Sequence, residues 1–74
     1  MNRLGLTVGT KVGKAFLRNR VRRRLREIYR LHEEELRRGW DLVVVARSRA
    51  GEETYQELEA QFLRAAAKLG LVKA

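Results

Sequence analysis

The side chains best suited to chemistry lie between Gly13 and Arg30, where Arg18, Arg20, Arg22, Arg23, Arg24, Arg26 and Arg30 alternate with Phe16, Leu17, Val21, Leu25 and Ile28. A guanidinium is a planar fork of donors that chelates phosphate oxygens and stacks on bases. Asn19, set among these cations, adds an amide that can read a base edge or a sugar hydroxyl. No acid occurs from Lys14 to Arg26, so these charges repel one another until a polyanion lies against them.

Other chemistries are poorly provided for. The chain has one histidine, His32, one aspartate, Asp41, and one serine, Ser48, and their sequence contexts give no workable nucleophile, base and acid. His32 falls on an apolar stripe and reads as a core or boundary residue. Glu33, Glu34 and Glu35 are consecutive, so on a helix they diverge and form a solvated face rather than a metal cluster. The stretch from Gly9 to Ala15 precedes a helix, as a phosphate-binding loop does. Three residues rather than four separate its glycines, and Ala15 stands where a metal-binding Ser or Thr is required. Nucleotide hydrolysis is therefore rejected, although the amides at the helix start, with Lys11 and Lys14, could hold a phosphate of a larger ligand. No catalytic residue, protein-bound metal or cofactor is expected.

The elements that position the arginines follow from periodicity. At about 100° per residue, Leu17, Val21, Leu25, Ile28, His32 and Leu36 share one sector with Tyr29 at its margin, while Asn19, Arg22, Arg23, Arg26 and Arg30 face away. Arg18, Arg20 and Arg24 sit on the flanks. This predicts a basic helix from about Lys14 to Arg38, stopped by Gly39. Before it, Leu4, Leu6 and Val8 alternate with Gly5, Thr7 and Gly9 as a strand with one apolar face, and Gly13 is free to take an unusual backbone angle ahead of the helix. After it, Trp40 to Ala46 reads as a strand buried on both faces. Arg47 to Gly51 is a loop bearing the cations Arg47 and Arg49. Thr54 and Glu57 have capping-box spacing for a last helix with Leu58, Phe62, Ala65 and Leu69 on its apolar face, ended by Gly70 with Leu71 as hydrophobic contact. The order βαβα implies an α/β, two-layer α+β domain in which the basic helix is the crossover between parallel strands.

At 74 residues and a net charge of +8, the chain is one basic domain near the size where a single core barely suffices. Cysteine is absent, so disulfides are excluded. No apolar run nears the roughly 20 residues that cross a bilayer, and the start lacks a secretory signal, so the default location is cytoplasmic and no membrane partner is expected.

The run from Leu4 through Lys11, Gly13, Lys14, Ala15, Arg18-Asn19-Arg20, Arg22, Arg23 and Arg26 to Glu27, followed by Asp41 to Arg47 and a closing helix, resembles the bacterial ribonuclease P protein subunit over nearly the whole chain. The resemblance implies an accessory protein of a catalytic RNA that removes the 5′ leader of precursor tRNA, with the Mg²⁺ ions of the reaction carried by that RNA. By position, Lys11, Lys14, Arg18, Asn19, Arg20, Arg22, Arg23 and Arg26 would contact the ribonuclease P RNA, with Arg30 continuing the helix face and Arg47 and Arg49 as secondary contacts. It also implies a left-handed crossover, an exception to the usual rule.

Two departures stand out. Lys14 replaces a common asparagine, and family members carry an N-terminal helix and two strands ahead of the strand at Leu4, so residues 1–74 read as a single domain truncated relative to the family. Without those strands, of the aromatics Phe16, Tyr29, Trp40, Tyr55 and Phe62 most are expected at core or boundary positions. The edge of the first strand would be free to pair with a second copy as a homodimer. The alternative reading is a fragment that acts only as a general RNA-binding or self-assembling module.

Overall fold

The computed structural model describes residues 3–72. Strand β1 (Arg3–Val8), helix α1 (Ala15–His32), strand β2 (Asp41–Ala46) and helix α2 (Tyr55–Lys68) follow one another, with 3-10 turns at Thr10–Val12, Glu33–Glu35 and Ser48–Gly51. β1 and β2 pair in parallel, with Leu4 opposite Leu42, Leu6 opposite Val44 and Val8 opposite Ala46, so α1 is the crossover. The strand's two-residue period turns these six side chains toward the helices, where they close over Val21, Leu25, Ile28, Tyr29, Leu58, Phe62 and Ala66. Ile28 at 0% exposure and Val21 at 1% lie at the centre.

β2 differs from expectation. Val43 and Val45 are each 66% exposed, because they project from the sheet face away from both helices. A continuous β-branched run is thus covered on one face and open on the other within the described residues.

α1 also ends sooner than its apolar beat suggests. The α-helix stops at His32, Glu33–Glu35 form a 3-10 turn, and Leu36 is extended with φ −96° and ψ 146°. Tertiary pairing overrides the pattern there. Leu36 makes an antiparallel bridge to Val72, and the Arg37 N–H donates to the Leu71 carbonyl at 2.6 Å. Leu36 is still buried, at 2% exposure, so the stripe reaches the core by a route that is not helical. Gly39, at φ 86°, turns the chain into β2 rather than capping α1.

The two ends of α2 are built by local chemistry. The Thr54 hydroxyl accepts from the Glu57 N–H at 3.1 Å, and the Glu57 carboxylate accepts from the Thr54 N–H at 3.0 Å, which is the expected capping box. At the other end the Leu71 N–H reaches the Ala66 carbonyl at 2.9 Å and the Gly70 N–H reaches that of Ala67 at 3.0 Å, a Schellman closure with Gly70 at φ 73°. Leu71 is buried as its hydrophobic contact. Ala66, rather than Ala65, lies on the core face of α2, and Leu69 is 64% exposed because that face passes to Leu71 beyond the turn.

Candidate nucleic-acid interface

The helix start is set by Gly13, at φ 140°, where a Cβ would come within 2.7 Å of Leu17 Cδ1. Lys14 follows as the N-cap with no side-chain cap, and the first turn of α1 carries no acid. Lys14 and Phe16 are exposed there, Phe16 at 65%. Trp40, at 49%, is the other well-exposed aromatic among the described residues, whereas Tyr29 and Phe62 are buried and Tyr55 is half-buried.

Along the outer side of α1, Asn19, Arg22, Arg23, Arg26, Glu27 and Arg30 line a shallow groove of about 570 Å³. Asn19, Arg23, Arg26 and Arg30 are exposed and Arg22 is half-buried. The Asn19 Oδ1 accepts from Arg22 Nη1 at 3.1 Å. With Oδ1 engaged by Arg22, the amide NH₂ of this exposed residue is the group that adds donors to those of the guanidiniums. Apart from the exposed carboxylate of Glu27, the surface is a row of N–H donors and positive charge, suited to phosphate oxygens and to acceptor atoms on bases.

The remaining arginines of the helix are placed differently. Arg20 Nη2 donates to the Gly51 carbonyl at 3.1 Å, and Arg24 Nη1 donates to the Glu53 carbonyl at 3.3 Å. Arg18 and Arg20 are half-buried with Nε enclosed by protein. Lys11, Arg47 and Arg49 are exposed, Lys11 on the first 3-10 turn and the two arginines at the turn that follows β2. On the helix taken alone, Arg18, Arg20 and Arg24 are alike as flanks of the apolar stripe. The tertiary bonds of Arg20 and Arg24 span 31 and 29 residues and leave no local signal.

His32 sits at the boundary between the two helices. Its Nε2 lies 2.9 Å from Glu59 Oε2 and its Nδ1 contacts Glu35, so a carboxylate faces each ring nitrogen. The hydrogen bond to Glu59, then that to Glu35, holds its pKa above the ordinary 6.5 against a smaller opposing effect of burial. The Glu57 carboxyl is held below its usual range by the Thr54 backbone and side chain, with a smaller contribution from Arg49. Arg49 therefore lies near the start of α2.

Fold and surface together define a small α+β domain whose crossover helix presents a polycationic face. The chain belongs to the ribonuclease P family: the family model described as Ribonuclease P matches residues 1–70. It is 44% identical over 73 residues to the ribonuclease P protein component of Natranaerobius thermophilus, covering 99% of this chain and 64% of that relative. Among solved structures, the ribonuclease P protein of Thermotoga maritima superimposes with a TM-score of 0.81 at 31% identity, covering 90% of this chain and 64% of that one. The Staphylococcus aureus protein gives 0.77 at 32% identity, covering 96% and 63%. The parallel two-strand sheet with two helices is thus the family's α+β fold, and the chain spans a little under two thirds of the length of these relatives.

Proposed function

We propose that this chain is an RNA-binding protein component of ribonuclease P, which assists a catalytic RNA in removing the 5′ leader of precursor tRNA in the cytoplasm. The observation that carries the proposal is the outward face of α1, where Asn19, Arg22, Arg23, Arg26 and Arg30 form one donor surface on a rigid helix. The backs of the same turns are fixed in the core by Val21, Leu25 and Ile28. A polycation held this way meets the phosphates of a folded RNA with its backbone already ordered, so that binding costs side-chain freedom but little backbone freedom. Lys14, the exposed N-cap residue, extends the contact around the start of α1. Hydrolysis itself belongs to the RNA and its Mg²⁺ ions; the protein's part is to screen phosphate repulsion where RNA strands approach.

A second copy is proposed to pair along the outer edge of β1. Among the described residues β1 has β2 on one side only, and an uncovered strand edge templates further pairing. Sedimentation equilibrium at about 10–50 µM, the range of ordinary weak interfaces, should show a dimer; a strict monomer would remove this part.

The functional test is cleavage of precursor tRNA by a bacterial ribonuclease P RNA at low Mg²⁺, with and without the protein. Stimulation supports the proposal. Binding to that RNA and to a random-sequence RNA with equal affinity, without stimulation, would leave a general RNA-binding module in its place.

A further inference from the structure

Arg20 and Arg24 lie one helical turn apart on the same flank of α1, and both spend a guanidinium N–H on a backbone carbonyl of the segment after β2, at Gly51 and Glu53. That segment is also anchored by the buried Ala50 and by the Gln61 side chain, which donates to the Glu53 carboxylate, but the two arginines hold its backbone carbonyls to α1. Its own bonds are those of one 3-10 turn, Ala50 N–H to the Arg47 carbonyl at 2.9 Å and Glu52 N–H to that of Arg49 at 3.0 Å. A free turn of this kind frays in water. Here it is pressed against the turn at Thr10–Val12 so closely that a Cβ on Gly51 would stand 2.7 Å from the Val12 carbonyl oxygen. Ala50 and Val12 are buried where the turns meet, at 4% and 6% exposure. Outside on the joined turns stand the cations Lys11, Arg47 and Arg49, all exposed, interleaved with the hydroxyls of Thr10 and Ser48, and one exposed acid, Glu52, follows them.

We propose that Arg20 and Arg24 are positioning residues that clamp the 47–53 segment, and that the clamp builds from Lys11, Arg47 and Arg49 a second phosphate-binding surface, separate from the groove on α1. The ligand is an RNA phosphodiester strand, a further part of the same RNA held by the α1 face, and the inference rests on that face binding RNA. The arginines of one sequence block then have two tasks. Arg22, Arg23, Arg26 and Arg30 meet RNA, whereas Arg20 and Arg24 meet protein and act on RNA through Arg47 and Arg49. Bonding to a carbonyl leaves a guanidinium charged, but it fixes the fork inward and removes the free geometry that bidentate phosphate chelation needs.

The test is a set of affinities for a fluorescein-labelled bacterial ribonuclease P RNA, measured by anisotropy over a salt series with the full chain. Arg47→Gln with Arg49→Gln should lower the slope of log K against log salt by about 0.7–0.9 for each phosphate no longer neutralised. Arg20→Gln should weaken binding in the otherwise unaltered protein. In the Arg47→Gln/Arg49→Gln background it should weaken binding by no more than about twofold, the scatter of independent effects. An equal loss in both backgrounds, from a direct phosphate contact or from general loosening, overturns the proposal, as does no loss in either. If Arg20→Gln fails to fold by circular dichroism, Arg24→Gln replaces it in the same comparison. A parallel Arg22→Gln/Arg26→Gln protein keeps the two readings apart: wild-type binding by that variant removes the α1 face, while the paired comparison still decides whether the clamp exists.

Discussion

Replacing Arg22 and Arg26 together by Gln removes two guanidiniums, i and i+4 on the outward face of α1, without touching the core. Gln is nearly as good a helix former as Arg. The one specific bond removed is that from Arg22 to Asn19, so stability should move by no more than about 0.5 kcal/mol. Binding should respond much more. Each neutralised phosphate contributes about 0.7–0.9 to the slope of log K against log salt, so releasing two lowers it by about 1.4–1.8. Between 50 and 200 mM salt, the variant's affinity should then fall about seven- to twelvefold less than that of the unaltered protein. Filter binding or anisotropy with ribonuclease P RNA across that range measures both slopes. A weaker variant with an unchanged slope would show that these arginines act without meeting phosphate, and the assignment of the groove would fail.

Three further outcomes follow from packing and charge. Ile28→Ala empties the most enclosed position in the core and should cost about 2–5 kcal/mol; a change below about 1 kcal/mol in chemical denaturation would mean that the α1 stripe is loosely packed. Gly51→Ala places a methyl group 2.7 Å from the backbone oxygen of Val12 and should destabilise the fold by about 1–3 kcal/mol, whereas Gly9→Ala meets nothing within 4 Å and serves as the control. His32 faces Glu59 and Glu35, with Tyr55 near Glu59, and its pKa is raised in the folded chain. Its contribution to stability is therefore fully present below pH 6.5 and disappears as pH rises through the higher folded value. Denaturation midpoints of His32→Gln should lack that decline, and parallel pH curves for variant and unaltered protein would contradict the ion-paired histidine.

Most of the architecture was legible because local chemistry decides it. The period-two strand at Leu4 to Val8, the capping box at Thr54 and Glu57 and the Gly70-Leu71 closure are each written in a few adjacent residues and are present in the fold. What failed to show in the sequence depends on distant partners. The end of α1 at His32 is decided by pairing of Leu36 with Val72 and of Arg37 with Leu71, while Leu36 keeps the i+4 spacing that mimics a continuing helix. The exposed face of β2 looks the same in sequence as a doubly buried strand, since Val43 and Val45 are as apolar as Leu42 and Val44. For the basic surface, the wheel separated Asn19, Arg22, Arg23, Arg26 and Arg30 from the flanks, and these residues do line one groove. That Arg20 and Arg24 turn toward carbonyls on another element could not be read from a helix alone.

The central claim is that the outward face of α1 is where RNA lies, and arginine side-chain NMR addresses it directly. In a titration of the ¹⁵N-labelled chain with ribonuclease P RNA, the Nε–Hε signals of Arg22, Arg23, Arg26 and Arg30 should shift together and saturate at one stoichiometry. Signals from those four that stay in place while Arg64 of α2 moves would contradict it.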